Sequence, residues 1–206
     1  MLEKIPQWLG AALSNVRAGH EKLVIARIDL SNATSLNLSS PAFAPGDRLP
    51  PRFTADGEGV SPPLVWSNVP AGTANLALIV EDPDAPTPRP LVHAVVVDID
   101  ARLNSLPEAA IAADGGGSAG KDVGKNSRFT EGWLPPDPPT GHGSHDYVFQ
   151  LFALGASQGD DKSSPGRSDF VEHLQGRVLA AGALVGTYSR GEEAEIGSVE
   201  AAPASI

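Results

Sequence analysis

The chain has 206 residues, of which 41% are hydrophobic, no cysteine and a formal net charge of −10. Its length favours one domain with extensions, and the lack of cysteine excludes disulfides and thiolate metal ligands. The negative charge argues against nucleic-acid binding, and no apolar run approaches the roughly 20 residues of a membrane-spanning helix. Because the N-terminus also lacks the apolar core of a signal peptide, we expect a cytoplasmic protein.

Residues 1–35 are predicted to form an N-terminal helical arm. Apolar side chains recur there at helical spacing, at Ile5, Trp8, Leu9, Ala12, Leu13 and Val16. Gly10 and Gly19 weaken such a helix, so its apolar stripe needs a partner surface. We expect the arm to pack either on its own domain or against a second copy in a homodimer.

Residues 36–190 are predicted to form one mainly β domain. Short apolar runs alternate there with Pro-rich and Gly-rich turns, which is typical of strands. Three runs rich in β-forming residues, 76–80, 92–98 and 147–154, are predicted to be buried central strands.

The segments between and after these strands differ in character. Residues 102–133 look like a long loop, which a compact domain usually keeps for function or flexibility. Residues 169–183 are predicted to form a helix with Ser168 as its cap, and residues 184–188 a strand that closes the sheet. Residues 191–206 carry four glutamates and no basic residue, which indicates a flexible acidic tail.

Three of the five histidines, His93, His142 and His145, lie at the start of predicted strands or just before them. Side chains alternate along a strand, so His145 and Tyr147 share one face, while His93 shares a face with Val95 and Val97. If the two strands are neighbours, these histidines and Tyr147 converge at one end of the sheet.

Two carboxylates and several glycines accompany the histidines. Asp82 and Asp84 lie in a proline-stiffened turn, and a carboxylate beside an imidazole favours the charged ring, a donor for phosphate or carboxylate. Tyr147 adds a hydroxyl donor, and Gly132 lets a ligand approach the backbone. The alternative is structural, since strand-end histidines are often only hydrogen-bonded and Asp next to Pro is a common turn.

These residues carry a family resemblance. Residues 82–86 followed by His93, together with residues 135–151, closely resemble the two signature regions of the phosphatidylethanolamine-binding protein family. Residues 61–64, 124–127 and 184–188 resemble its bacterial, Raf-kinase-inhibitor-like branch. The resemblance covers about residues 36–190.

The resemblance implies an antiparallel β-sandwich-like fold with a C-terminal helix and a shallow anion pocket between the two signature regions. By position, Asp82, His93, His145 and Tyr147 match the family's pocket residues. Asp84 and Pro86 match the motif that shapes the pocket wall. With His142 and Gly132, these are our candidate ligand-binding residues.

Two positions depart from the family pattern. Pro135 stands where the family usually has glycine, which removes an N–H group from the pocket region. Asp146 stands where the family usually has a basic residue, but strand alternation turns it away from His145.

Other chemistries find weaker support. Residues 115–121 have the spacing of a phosphate-binding loop, but Asp122 replaces the hydroxyl residue that would bind magnesium. The histidines and Asp82 could in principle bind zinc. Ser144 lies in no nucleophile-elbow pattern. We therefore expect no metal, no cofactor and no catalytic residue.

The sequence thus predicts a non-enzymatic protein that binds a small anion, such as phosphate or a phosphorylated head group. Two alternatives remain. One is an inhibitor or regulator that docks on a kinase or protease, and the other is a metal-dependent hydrolase that uses the histidine cluster.

Overall fold

The computed structural model describes residues 13, 15–112, 122–157 and 165–190. Its strands are β1 (Thr34–Ser35), β2 (Asn37–Ser39), β3 (Leu64–Ser67), β4 (Asn75–Asp82), β5 (Leu91–Asp100), β6 (Ser105–Leu106), β7 (Asp122–Val123), β8 (His145–Leu154) and β9 (Val178–Tyr188). Its α-helices are α1 (Val24–Arg27) and α2 (Arg167–Leu174), and 3-10 turns cover His20–Lys22 and Pro51–Phe53.

The strands form two sheets. The larger has the order β1-β9-β8-β4-β5-β7 and the smaller the order β2-β3-β6. All pairings are antiparallel except that of β1 with β9. The expected mainly β, antiparallel fold is confirmed, and the three predicted strands β4, β5 and β8 lie inside the larger sheet.

The larger sheet buries both of its faces. One face packs on the smaller sheet, and this core includes Leu38, Trp66, Leu78, Val96, Phe149 and Leu184. The other face is covered by α1 and α2, which contribute Val24, Phe170 and Leu174. Burial on both faces explains why these strands read as continuous apolar runs.

The predicted helix over residues 169–183 is wrong in its second half. Helix α2 begins at Arg167, so Ser168 is not its cap, and it ends before Gly176, whose φ of 68° suits glycine. The chain then enters β9, where buried and less buried residues alternate. A Cβ on Gly182 would lie 2.4 Å from the Leu36 carbonyl oxygen, so the small residues of this stretch serve close strand packing.

The N-terminal segment is only partly helical where the structure describes it. Residues 1–12 and 14 of the predicted arm lie outside the described residues, and residues 16–19 have no regular secondary structure before the turn at His20–Lys22. Gly19 has a φ of 107°, and its N–H donates to the Pro83 carbonyl (2.8 Å). These backbone contacts replace the helix, and they dock the segment on its own domain.

The predicted long loop contains two short strands. Within residues 102–133, β6 joins the smaller sheet and β7 the edge of the larger one. The glycine-rich stretch 115–121, considered as a phosphate-binding loop, and the predicted acidic tail 191–206 lie outside the described residues.

Candidate functional site

The candidate site lies where three strands of the larger sheet meet. Asp82 ends β4, His145 begins β8, and His93 is the third residue of β5. Because β4 lies between β5 and β8 and is antiparallel to both, this end of β4 faces the starts of its two neighbours. The two strands that carry His93 and His145 are therefore not neighbours but flank the strand that carries the Asp82 carboxylate.

A β-bulge turns His93 toward this site. Val80 pairs with Ala94 and Glu81 with Val92, so His93 is the extra residue in the ladder. Its ring makes an edge contact with Tyr147, with 5.0 Å between ring centroids, whereas Val95 and Val97 face the helices. The predicted common face of His93, Val95 and Val97 is thus wrong, because a bulge reverses the alternation beyond it.

A cavity of about 200 Å³ opens at this point. Five of the predicted residues line it: Asp82, Pro86, His93, His145 and Tyr147. The other lining residues are Ala85, Leu91, Ser127, Arg128, Leu134, Pro135, Asp137, Pro138 and Pro139. Prolines from both signature regions therefore form much of the wall.

One side of the cavity is a continuous hydrogen-bonded chain. His145 Nδ1 lies 2.8 Å from Asp82 Oδ2, and His145 Nε2 lies 2.7 Å from His142 Nδ1. His142 Nε2 in turn lies 2.8 Å from the Leu13 carbonyl oxygen. Asp82 Oδ1 also accepts the N–H groups of Asp84 and Ala85, which anchors the carboxylate.

Counting protons fixes the charge of this chain. Its two ends, the Asp82 carboxylate and the Leu13 carbonyl, are both acceptors, so three hydrogen bonds need three protons. Two neutral imidazoles provide only two. The extra proton therefore lies on the pair of rings, and His145 Nδ1 contacts the Asp82 carboxylate that balances its charge. Both ring nitrogens of His145 are then used within the protein.

The other side of the cavity is unsatisfied. His93 Nε2 and the Tyr147 hydroxyl are buried and have no hydrogen-bond partner among the described residues. A buried polar group without a partner costs about 1–3 kcal/mol. A protein normally avoids such groups, and two of them at one cavity indicate a place for a ligand.

The surroundings of His93 and Tyr147 influence the protonation of both side chains. His93 Nδ1 donates to the Leu134 carbonyl (2.7 Å), so its Nε2 presents a lone pair. Burial lowers the pKa of His93, against the opposing effect of Asp82, and burial raises the pKa of Tyr147 well above its usual range. Both shifts favour a neutral ring and a protonated phenol, whereas the sequence had suggested a charged imidazole donor.

Charged groups surround the rim. Asp137 lies between Arg190, which donates to its Oδ1, and Arg128, whose Nη2 is 3.7 Å from Oδ2. The Arg190 guanidinium also binds Asp56 and holds the pKa of that carboxyl below its usual range. Arg128 is half exposed and lines the cavity, which makes it the cation best placed to meet an entering anion.

Comparison with known proteins shows the family of the chain. The sequence profile described as phosphatidylethanolamine-binding protein matches residues 39–189. The chain belongs to the phosphatidylethanolamine-binding protein family.

Three relatives illustrate the membership. A UPF0098 protein of Methanothermobacter thermautotrophicus is 38% identical over 160 residues, which cover 76% of this chain and 100% of the relative. LppC of Mycobacterium tuberculosis, named as a candidate lipoprotein, is 42% identical over 122 residues, 59% of this chain and 57% of LppC. The crystal structure of Escherichia coli YbcL, described as a new member of the mammalian family, has a TM-score of 0.70 and 29% identity and covers 76% of this chain and 99% of YbcL.

Three predicted site residues, Asp84, His142 and Gly132, do not line the cavity. Asp84 Oδ2 accepts the Asp146 N–H (2.7 Å), and His142 acts behind His145. Gly132 accepts a hydrogen bond from Asn126 at its carbonyl. Of the two departures from the family pattern, Pro135 lines the cavity, and Asp146 faces His20 instead (3.0 Å).

Nothing in the sequence indicated that the N-terminal segment around Arg17 contacts both signature regions of the site. Arg17 pairs with Asp84 and donates to the Ser144 carbonyl, and Ala18 N–H donates to the Ala85 carbonyl. This segment precedes the family match, so no motif pointed to it. Its docking behind both signature regions is evident only in three dimensions.

No group of potential metal ligands found among the described residues includes the pocket histidines. His142 and His145 are bonded to each other, and the one group of potential ligands among the described residues is His20, Asp84 and Asp146. In that group, Asp84 already forms a salt bridge with Arg17. In the described part of the chain, no helix combines the length and apolar character needed to cross a membrane.

A larger groove adjoins the cavity. It has a volume of about 740 Å³, shares Leu91 and Ser127 with the cavity, and passes Arg89 and Lys125. Phe129 lines it and is 84% exposed. We place the site in the smaller cavity because the unpartnered polar atoms lie there.

Proposed function

We propose that this family member binds a small oxyanion, such as phosphate or a phosphorylated head group, in the cavity beside His93 and Tyr147, and that it catalyses no reaction on it. The observation that carries the proposal is the pair of buried, unpartnered polar atoms at that cavity. A ligand that hydrogen-bonds both atoms removes a cost already present in the folded protein.

Size and charge support a small anion. The cavity volume of about 200 Å³ is below the roughly 300–1,000 Å³ typical of sites for drug-sized molecules. Arg128 lies at the rim, and Tyr147 offers an O–H donor. The two unpartnered atoms are closed off from solvent, so binding requires a small outward movement of the cavity wall.

We expect modest affinity. The net charge of −10 opposes the approach of anions, so local donors must supply the binding free energy. The hydrogen-bonded side of the cavity forms part of its wall but offers no hydrogen-bond donor to the ligand, because both ring nitrogens of His145 are already bonded within the protein.

A phosphate titration followed by NMR tests the proposal. Side-chain signals of His93 and Tyr147 should shift and saturate, and Tyr147→Phe should weaken binding by about tenfold, the loss of one hydrogen bond to a charged group. Tyr188→Phe is the matched control, since the Tyr188 hydroxyl donates to Asp56 outside the cavity lining (2.7 Å). The proposal fails if no saturable shift occurs up to about 10 mM phosphate.

The other interpretations stay predictions. Docking on a kinase or protease is tested by a pull-down with Arg128→Ala, and hydrolase activity by metal analysis of protein purified without added zinc. The cytoplasmic location also stays a prediction, which cell fractionation checks.

A further inference from the structure

A second cluster of polar side chains lies outside the cavity lining, where the N-terminal segment meets both signature regions. It consists of His20, Asp84 and Asp146, and one ligand atom from each lies within 4.8 Å of the other two. His20 precedes residues 39–189, which match the family profile. The cluster is therefore a feature of this chain and not of the family pattern.

The backbone holds these three residues together. The Gly19 N–H donates to the Pro83 carbonyl (2.8 Å), which sets His20 beside the turn that contains Asp84. The Asp146 N–H donates to Asp84 Oδ2 (2.7 Å), which fixes the second carboxylate beside the first. Ligands that are already in place lose little conformational entropy when an ion binds.

The cluster attracts cations. Arg17 Nη1 lies 2.5 Å from Asp84 Oδ1 and donates to the Ser144 carbonyl. Within the described residues, the ion pairs of the two carboxylates are those with Arg17 and His20, so one guanidinium stands against two negative charges. The Asp84 side chain is only 8% exposed, whereas that of Arg17 is 37% exposed. Water therefore screens the Asp84 charge poorly, and Arg17 has room to turn outward.

The ligand atoms suit zinc. His20 Nε2 lies 3.0 Å from Asp146 Oδ2, and two ligands of a tetrahedral zinc ion lie roughly 3.4 Å apart because each bond is about 2.1 Å long. An imidazole nitrogen favours Zn²⁺ and similar transition metals, whereas Mg²⁺ and Ca²⁺ prefer oxygen ligands throughout. Once Arg17 turns away, Asp84 Oδ1 is the third ligand, while Oδ2 keeps its hydrogen bond.

We propose that His20 Nε2, Asp84 Oδ1 and Asp146 Oδ2 bind one Zn²⁺ ion, which displaces the Arg17 guanidinium. Water fills the fourth position. Because the three ligands come from the N-terminal segment and the two signature regions, the ion clamps that segment onto the domain. The inference is independent of the proposed function, since none of its ligands lines the cavity.

Titration calorimetry of the full chain, freed of metal by a chelator, tests the site. We expect one zinc ion per chain with saturation below about 100 μM zinc chloride, and far weaker binding of magnesium chloride. His20→Gln removes the nitrogen ligand and should weaken zinc binding by at least about tenfold. His173→Gln, in α2 and outside the cluster, is the matched control and should bind zinc like the unaltered chain.

An arginine variant should act in the opposite direction. Arg17→Gln removes the competing cation and should tighten zinc binding by about two- to fivefold, the equivalent of one partly exposed ion pair. Zinc bound elsewhere on the acidic surface would not respond to this change.

Hydrogen exchange provides a readout of the clamp itself. Zinc at ten times its dissociation constant should slow exchange of the Gly19 N–H by about tenfold in the unaltered chain and not in His20→Gln. Failure of zinc to bind saturably, or zinc binding that both His20→Gln and Asp146→Asn leave unchanged, overturns this inference. Either result leaves the proposed binding of oxyanions untouched.

Discussion

Both sides of the cavity contain buried polar side chains, but those on one side are hydrogen-bonded within the protein and those on the other are not. On one side, Asp82, His145 and His142 satisfy each other in an unbroken chain ending on Leu13. On the other, His93 Nε2 and the Tyr147 hydroxyl are buried without partners. The comparison teaches that a histidine matching a family motif can serve the architecture of a pocket and not its ligand.

The difference originates in the strands. His145 begins β8 and bonds to Asp82 at the end of β4 and to His142 in the turn that precedes β8. His93 is instead the bulged residue of β5, which directs its ring toward Tyr147 and the cavity. Bulges often re-aim a side chain next to a functional site.

A substitution in the hydrogen-bonded chain of Asp82, His145 and His142 should have the largest effect on the free energy of unfolding. Asp82→Ala leaves the extra proton of the histidine chain without a counterion and frees two backbone N–H groups. We expect the free energy of unfolding to fall by about 3–5 kcal/mol, as for other broken buried ion pairs. Urea denaturation measures this loss.

The matched variant is Asp82→Asn. Its amide can donate to His145 Nδ1, so all three hydrogen bonds survive with neutral rings. We expect a loss of only about 1 kcal/mol. An equal loss in both variants would contradict the proton count.

Acid should destabilise the fold through the buried histidines. The pKa values of His93 and His142 are lowered from 6.5, so below that pH the unfolded chain binds more protons than the folded one. Their contribution to stability is complete above about pH 6.5 and falls as pH drops, by at most about 1.4 kcal/mol per pH unit for each ring. Urea denaturation between about pH 8 and 5 checks the slope.

A His93→Gln variant sharpens this test. It should lose part of the slope below pH 6.5, because His142 still contributes its share. A slope that is unchanged would mean that His93 is not buried as a neutral ring.

The two tyrosines of the chain form a natural pair for the unsatisfied side. Without added anion, Tyr147→Phe removes an unpartnered hydroxyl and should raise the free energy of unfolding by about 1 kcal/mol. Tyr188→Phe removes a hydroxyl that donates to Asp56 and should lower it by about 1 kcal/mol. Opposite signs in thermal denaturation support the comparison, and two losses of similar size would contradict it.

A substitution in the N-terminal segment should have the smallest effect on the free energy of unfolding. Arg17 pairs with Asp84 but is itself about one-third exposed, and such ion pairs contribute little. Arg17→Ala should lower the free energy of unfolding by about 0.5 kcal/mol and leave phosphate affinity unchanged. A tenfold loss of phosphate affinity would mean that the segment shapes the cavity directly.

The sequence predicted much of this architecture. The apolar runs at β4, β5 and β8, the family of the chain and the convergence of Asp82, His93, His145 and Tyr147 follow from local composition and motifs. Alternation also placed Asp146 on the side away from the pocket, where it meets His20.

What the sequence could not predict depends on register and long-range contact. The bulge at His93 is a property of how β5 pairs with β4, and no residue type marks it. The helix predicted over residues 169–183 extended too far because small residues suit a helix as well as a closely packed strand. His142 and Leu13 are 129 positions apart, so only the fold brings them together.

The most direct test of the central claim is a high-resolution crystal structure of the chain with inorganic phosphate. The account predicts one phosphate in the cavity, with separate oxygens within about 3 Å of His93 Nε2 and of the Tyr147 hydroxyl, and His142 still bonded to His145. Phosphate bound to His145 and His142 instead, or a cavity that stays closed over His93 and Tyr147 at saturating phosphate, would contradict it.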